Sequence, residues 1–223
     1  MAHHSMIFCL LAVLVALPGA ARAAAVCPAD TPRITIAATL PEPSYRHRLS
    51  QSQIGALAGG RGHLTSDKTH KGLTQTETRL HVQPATFEIV PSGNGTVCIN
   101  LKRLDVVWRM AQFQVDVAAE YRPDSCAYRE TLRHENEHVA IFRRHFREAE
   151  RNLRQDLAEV ARRSLPLRVR EPETQRRIDE IATKFATAAR AAVARYERDA
   201  RRDNGAIDTP ASYRAVMARC RDW

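Results

Sequence analysis

The chain has 223 residues and a formal net charge of +9, from 34 lysines and arginines against 25 acidic residues. This length can bury one substantial core, which indicates a single domain. Most of the cations are arginines spread along predicted helices without interleaved aromatic residues. This pattern argues against specific nucleic-acid binding, although a basic surface still suits an anionic envelope or polymer partner.

The N-terminus is typical of a secretory signal peptide. Residues 6–16 are almost purely apolar, and they are followed by Pro18-Gly19 and by Ala21-Arg22-Ala23, a small-residue cleavage pattern. The apolar run is too short to cross a bilayer as a helix. We therefore expect residues 1–23 to be removed on export, and residues 24–223 to form a periplasmic or secreted protein with no membrane span.

Cysteine usage agrees with export. Of five cysteines, Cys9 lies in the predicted signal peptide, and the four that remain are Cys27, Cys98, Cys126 and Cys220. An even number of cysteines in an oxidising compartment indicates disulfide bonds. Their spacings do not resemble a cysteine metal site.

The region 27–120 is predicted to be rich in β-strands. Residues 73–82 alternate between two faces, and Pro91-Ser92-Gly93-Asn94-Gly95 is a hairpin turn signal. The expected strands are residues 33–39, 73–82, 87–90 and 96–118, the last as one long strand or two shorter ones, and residues 50–57 fit a short helix. We expect a small antiparallel sheet.

The region 124–223 is predicted to be helical. Asp124 or Ser125 supplies the N-cap of a long first helix, which Ser164-Leu165-Pro166 ends. A second helix starts at Glu171-Pro172-Glu173 and stops at Asn204-Gly205. Thr209-Pro210 predicts the N-cap and first residue of a short last helix. The predicted fold is α+β, with the sheet followed by a long helical hairpin and a short C-terminal helix.

The first long helix contains His134-Glu135-Asn136-Glu137-His138, an H-E-x-x-H motif. Residues i and i+4 share one helix face, so both imidazoles can reach one metal ion, and the intervening Glu can take a proton from a metal-activated water. Glu135 also falls near the centre of the apolar stripe, where a carboxylate is costly unless it is paired or metal-linked. An arginine- and glutamate-rich helix can contain the motif by chance, but the buried position of Glu135 favours a zinc site.

The motif leaves the third ligand open. The longer pattern H-E-x-x-H-x-x-G-x-x-H is absent, because Ile141 and Arg144 occupy its last two fixed positions. His145 lies about 10 Å beyond His138 along the helix, which is too far for the same ion. An antiparallel hairpin would return the end of the second helix to the level of His134. The alternatives are Glu197, Asp199, Asp203 and Asp208, together with His47, His63, His70 and His81 from the β-rich half.

Three segments carry a resemblance to a known family: Thr96-Val97-Cys98-Ile99, the H-E-x-x-H motif, and Asn204-Gly205-Ala206-Ile207-Asp208. They resemble the cysteine strand, the H-E-x-x-H helix and the N-x-x-Y-D-x-x-T-x-H-G segment of the bacterial "predicted secreted zinc-dependent protease" family, long classed as a domain of unknown function. The resemblance covers residues 27–223. Ile207 stands where the family has Tyr, and Tyr213-Arg214 stands where it has His-Gly.

The resemblance implies a zincin-like domain over residues 24–223. Asp208 matches the family aspartate, so Zn²⁺ would be held by His134, His138 and Asp208, with Glu135 as general base. Such a site is similar to that of aspartate-type zincins, where a nearby tyrosine stabilises the oxyanion, and Tyr213 would take that role. The expected protein is a hydrolase, a secreted zinc metalloprotease acting on peptides or proteins, including those of the cell envelope.

Three other functions stay open. The first is a non-catalytic exported envelope binding or assembly protein whose metal site is structural or lost. The second is a basic exported protein that binds an anionic polymer or nucleic acid, and the third is amide hydrolysis on cell-wall peptides. For the disulfides we expect Cys27 to pair with Cys98 within the sheet. Cys126 would pair with Cys220, because the last helix should return to the start of the first.

Overall fold

The computed structural model describes residues 26–28, 30–59, 70–221 and 223. The predicted signal peptide, residues 1–23, and His63 lie outside the described residues. The elements are β1 (Arg33–Thr39), β2 (Ser44–Arg46), α1 (Gln51–Gly59), β3 (Gly72–Val82), β4 (Thr86–Gly93), β5 (Thr96–Val117), α2 (Cys126–Ser164), β6 (Leu167–Arg170), a 3₁₀ turn (Glu171–Glu173), α3 (Thr174–Ile207) and α4 (Pro210–Met217). Within this part of the chain, no helix combines the length and the apolar character needed to cross a membrane.

The sheet is organised around β5, a single strand of 22 residues. Strands β3 and β4 follow each other along one edge of β5, and both are antiparallel to it. Strands β6, β1 and β2 lie along the other edge, where β6 is antiparallel but β1 and β2 are parallel to β5. The expected antiparallel sheet is therefore wrong, because the sheet is mixed. Parallel pairing of β1 with β5 joins residues about 70 positions apart, and no local pattern encodes it.

The hairpin turn between β4 and β5 is confirmed. Gly93, Asn94 and Gly95 have φ values of 79°, 53° and 66°, all in the left-handed region. Glycine and asparagine tolerate this region best, which explains why the turn signal was readable in the sequence. The turn reverses the chain so that β5 runs back along β4 and then along β3.

The core lies between the sheet and the two long helices. Along β5 the side chains of Leu104, Val106 and Trp108 are buried on the face that α2 and α3 cover. The Trp108 ring stacks on Phe146 of α2 with centroids 4.0 Å apart, and it meets Tyr196 of α3 edge-on at 5.4 Å. Aromatic contacts of this kind add to the free energy gained by burial, and they hold both helices against the sheet.

The helices begin largely as predicted. The Ser125 hydroxyl caps α2 by accepting from the Tyr128 amide, and α2 ends at Ser164. Thr209 caps α4 with a capping box to Ser212, and Pro210 is its first residue. The predicted stop of the second helix at Asn204-Gly205 is wrong, because α3 continues to Ile207. The short strands β2 and β6 were not predicted, because their pairing with β5 is non-local.

Both expected disulfides are present. Cys27 is bonded to Cys98 on β5, and Cys126 in the first turn of α2 is bonded to Cys220. The second bond brings the C-terminal segment to the start of α2. Helices α2 and α3 are antiparallel, since His138 contacts Asn204 while Asp156 pairs with Arg195. The end of α3 therefore lies beside the H-E-x-x-H motif.

Candidate metal centre

Two histidines of α2 converge on one carboxylate oxygen. The Nε2 atoms of His134 and His138 each lie 3.1 Å from Asp208 Oδ1. Both histidines are buried, whereas the Asp208 side chain is partly exposed. Their potential ligand atoms all lie within 4.8 Å of one another, as a group able to hold a metal ion. The two histidines lie in the N-terminal third of α2, and Asp208 is the C-cap of α3.

The donor set is compatible with zinc, and so is the distance of each histidine from Asp208. Two imidazole nitrogens and one carboxylate oxygen are typical zinc ligands, and three protein ligands leave a fourth position open, as in catalytic sites. Ligand atoms about 2.0–2.1 Å from a tetrahedral ion lie about 3.3 Å from each other. The observed 3.1 Å contacts are close to that spacing. The same donors also bind other divalent transition metals, with affinities that follow the Irving–Williams order.

The other third-ligand alternatives lie elsewhere. Asp203 pairs with His145 at 2.8 Å, Glu197 accepts from Thr78, and Asp199 pairs with Arg202. His145 is buried rather than solvated and is not part of the metal group. In the β-rich half, His47 bonds the Ala118 carbonyl at 3.0 Å, His81 is exposed, and His70 lines the cleft without joining the group.

Asn204 orients His138. The Asn204 amide nitrogen donates to the Ala200 carbonyl at 2.6 Å, which turns its Oδ1 toward His138 Nδ1 at 2.7 Å. His138 Nδ1 therefore carries the proton that it donates to Asn204. Nε2 then faces Asp208 and, once it has lost its proton, can bind a metal. Partners of this kind fix the ring orientation of a metal-binding histidine.

Glu135 is buried beside the two histidines, with 4% of its surface exposed. The Thr74 hydroxyl of β3 donates to Glu135 Oε2 at 2.8 Å. Gly72 faces the same carboxylate so closely that a Cβ there would lie 2.6 Å from Oε1 and 2.8 Å from Thr131 Cγ2. The start of β3 thus holds Glu135 from the side opposite α2, and it requires glycine at position 72.

The charged groups of the centre shift one another's pKa values. Burial raises the pKa of Glu135, against the opposing effects of His138 and the Thr74 hydrogen bond. Burial would lower the pKa of His138, but the hydrogen bond to Asp208 and the charge of Glu135 outweigh it and raise this pKa to about 9. Burial opposes ionisation of Asp208, yet the two histidines hold its pKa well below the usual range. Without a metal, the centre is therefore an ion pair between His138 and Asp208.

Tyr213 completes the cluster from α4. Its hydroxyl donates to Asp208 Oδ1 at 3.1 Å, and its ring lies 5.6 Å from that of His134. Burial and the Asp208 charge raise the pKa of Tyr213, so the phenol stays protonated. The five predicted site residues, His134, Glu135, His138, Asp208 and Tyr213, are thus brought together in one cluster.

The cluster opens into a cleft with apolar walls. Leu73 at the start of β3, Phe142 one turn after His138, and Ala58 of α1 line it together with the polar residues. Sequence reasoning did not find the roles of Thr74 and Gly72. The alternation along β3 placed Thr74 on one face of the strand, but only the packing of β3 on α2 selects Glu135 as its partner.

Comparison with family models, curated proteins and solved structures gave no match for this chain. The function must therefore be inferred from the residues of the centre itself.

Proposed function

We propose that the protein is a zinc-dependent peptidase that hydrolyses peptide bonds. The observation that carries this proposal is the meeting of His134 Nε2 and His138 Nε2 at one oxygen of Asp208, with the Glu135 carboxylate buried beside them. Three ligands with a buried carboxylate next to them are the arrangement that hydrolytic zinc sites use. When bound, zinc would polarise the scissile carbonyl and acidify a water molecule.

Glu135 is the proposed general base. A carboxylate whose pKa is raised by burial is suited to accept a proton near neutral pH, here from the attacking water, and to pass it to the leaving amine. The Thr74 hydroxyl and the close backbone of Gly72 hold the carboxylate in one place. Such fixed geometry contributes to catalysis because no reorganisation is needed during the reaction.

Tyr213 is the proposed oxyanion donor. Its protonated hydroxyl already donates to Asp208 at the edge of the cleft, so it can donate to the oxygen of a substrate carbonyl placed there. Asn204 contributes indirectly, because it sets the tautomer of His138.

Export is part of the proposal. The two disulfides and the lack of a spanning helix among the described residues are compatible with an extracytoplasmic protein. We propose cleavage after residue 23 and a periplasmic or secreted location. The substrates would be peptides or proteins, including those of the cell envelope.

The test combines metal content with turnover. We expect the mature protein to hold about one zinc per chain, by plasma mass spectrometry, and to cleave a mixed peptide library. His138→Ala should lose the zinc, because a ligand is removed. Glu135→Gln should keep the zinc and lose turnover by about 10²-fold or more, since the base is removed while the ligands stay.

The outcomes separate the possible functions. Full activity of Glu135→Gln would refute the mechanism. Zinc in the wild type without cleavage of either peptides or cell-wall peptides would favour the non-catalytic envelope protein. Cleavage confined to cell-wall peptides would assign the same chemistry to a different amide substrate.

A further inference from the structure

A basic groove runs along the outer face of α2 beside strand β2, away from the metal centre. We define the basic groove by Tyr45, Asn136, Val139, Arg143, Arg147 and Arg151. Tyr45 is half-exposed, and its hydroxyl donates to Asn136 at 2.6 Å, which joins β2 to the helix at one end of the groove. The other end is an arginine ladder with one arginine per helical turn.

The last two arginines of this ladder, Arg147 and Arg151, have no ion-pair partner in the described part of the chain. The α2 arginines with carboxylate partners are Arg133, Arg143, Arg144, Arg154, Arg162 and Arg163. Among the described residues, Arg147 and Arg151 have neither an ion pair nor a hydrogen bond to another side chain. Like charges four residues apart on a helix repel and destabilise it. An anion that bridges Arg147 and Arg151 would remove this repulsion.

One arginine of the ladder already binds a carboxylate from the chain itself. Glu42, on the link between β1 and β2, forms an ion pair with Arg143, the first arginine of the ladder. The link is extended, because its flanking residues Thr39 and Ser44 lie opposite Arg109 and Gln114 of β5. An exposed carboxylate on extended backbone therefore already occupies one position. Arg147 and Arg151 offer the same guanidinium forks to carboxylates from another molecule, and such forks bind carboxylates with two hydrogen bonds.

The spacing of the ladder suits an extended polypeptide. Successive arginines four residues apart are about 6 Å apart along the helix axis. Alternate side chains of an extended peptide are about 6.6–6.8 Å apart on the same face. Two acidic side chains separated by one residue can therefore meet Arg147 and Arg151 together.

The remaining walls also favour a polypeptide over a chain of phosphates. Tyr45 offers a half-exposed aromatic ring, whereas Val139 beneath it is buried in the core. Strand β2 pairs with β5 and with no other strand of the described part, so its outer edge is not covered by a neighbouring strand. A strand edge of this kind can hydrogen-bond to an added peptide backbone.

We propose that the basic groove binds an acidic, extended polypeptide segment, whose carboxylates at alternate residues pair with Arg147 and Arg151. The groove is separate from the metal centre, so this binding does not require the proposed peptidase activity. If both are present, the groove anchors substrates that carry acidic segments.

Fluorescence anisotropy with a labelled twelve-residue peptide of alternating Glu and Thr tests this proposal. All proteins carry Glu135→Gln, so the probe is not cleaved and the result is independent of hydrolysis. We expect Arg147→Glu with Arg151→Glu to weaken binding by about tenfold or more, because two charge-assisted pairs are lost. The matched control is Arg162→Glu with Arg163→Glu, which makes the same change in net charge further along α2 and should weaken binding by less than about twofold.

Two outcomes would overturn the proposal. Equal weakening by both double variants would mean that net charge alone attracts the probe. Binding of inorganic polyphosphate that is tighter than that of the peptide, and lost in Arg147→Glu with Arg151→Glu, would assign the groove to a phosphate polymer. Should the glutamate variant not fold by circular dichroism, Arg147→Gln with Arg151→Gln replaces it, with the same expected direction.

Discussion

Asp208 is the residue at which three helices meet. It caps α3, its Oδ1 receives both histidines of α2, and it accepts a hydrogen bond from Tyr213 of α4. A carboxylate in this position orients both imidazole Nε2 atoms and the phenol toward one point. Two residues support the centre from outside. Asn204 accepts from His138, and the Thr74 hydroxyl contacts both the Glu135 carboxylate and its backbone carbonyl.

Thr74 is expected to position the general base. Thr74→Val keeps the shape of the side chain but removes the hydroxyl that donates to Glu135. The value of kcat should fall by about tenfold with little change in KM, because a hydrogen bond to a charged group is lost. Thr74→Ser, which keeps the hydroxyl, serves as the control and should retain most of the activity. The comparison requires equal zinc content in the wild type, Thr74→Val and Thr74→Ser. An unchanged kcat in Thr74→Val would contradict the positioning role of Thr74.

The pKa of His138 predicts how stability depends on pH without metal. Because the folded pKa is raised from 6.5 to about 9, protonation of His138 stabilises the fold fully below pH 6.5. This contribution, on the order of a few kcal/mol, is lost as the pH rises through about 9. Melting temperatures of the chelator-treated protein should therefore fall between pH 6 and pH 10, and less so in His138→Gln.

Added zinc should raise the melting temperature more at pH 9 than at pH 6, since protons compete for the same nitrogen.

At the scale of elements, β3 and the end of α3 enclose the motif helix from two sides. The continuation of α3 past Gly205 places Asn204 and Asp208 one helical turn apart, so both reach α2. Strand β3 begins with Gly72 against Glu135 and continues with Thr74. Apart from Asp208, which caps α3, the residues of the candidate metal centre named here lie on regular elements, which hold side chains more rigidly than loops do.

Gly72→Ala should disturb the contact between β3 and α2. The new Cβ would overlap the Glu135 carboxylate and Thr131, so the free energy of unfolding should fall by about 1–3 kcal/mol, with a large loss of turnover. Gly55→Ala, within α1, is the matched control, since its Cβ meets only the His70 ring at an ordinary contact distance of 3.7 Å. That change should be neutral or stabilise the protein by up to about 1 kcal/mol. Chemical denaturation measures both, and equal effects would show that Gly72 has no special role.

At the scale of the whole molecule, the two disulfides hold different parts of the fold. Cys126–Cys220 ties the C-terminal segment, including α4 and Tyr213, to the start of α2. Cys27–Cys98 ties the N-terminal segment to β5, near β6 and the opposite end of the helical hairpin. Their sequence separations, 94 and 71 residues, are similar, so their entropic contributions should be similar as well.

Replacing either pair by serines should therefore cost about 4–5 kcal/mol of stability. Only Cys126→Ser with Cys220→Ser should also weaken zinc binding, because α4 and the end of α3 would no longer be held beside His134. Competition with a chromogenic chelator measures zinc affinity under conditions where both variants are folded. Equal zinc affinities in the two variants would show that the C-terminal bond does not support the centre.

The amino-acid sequence by itself determined the features that depend on local spacing. The i, i+4 histidines and the buried Glu135 follow from the 3.6-residue period of α2, and the caps at Ser125 and Thr209 follow from side chains that bond their own backbone. The turn at residues 93–95 follows from glycine and asparagine at positive φ. Both disulfide pairings were also expected, because the predicted sheet and the predicted return of the last helix selected them from three possible pairings.

Only the tertiary structure decided which distant residues contact these locally encoded features. The parallel pairing of β1 and β2 with β5, the short strand β6, and the contacts of Thr74 and Gly72 with Glu135 all link segments that are far apart in the chain. Asp208 was one of several acidic residues near the end of α3, and the pitch and packing of α3 on α2 selected it. Local periodicity specifies which face of an element is buried, whereas the partner on that face is specified by the packing of the whole chain.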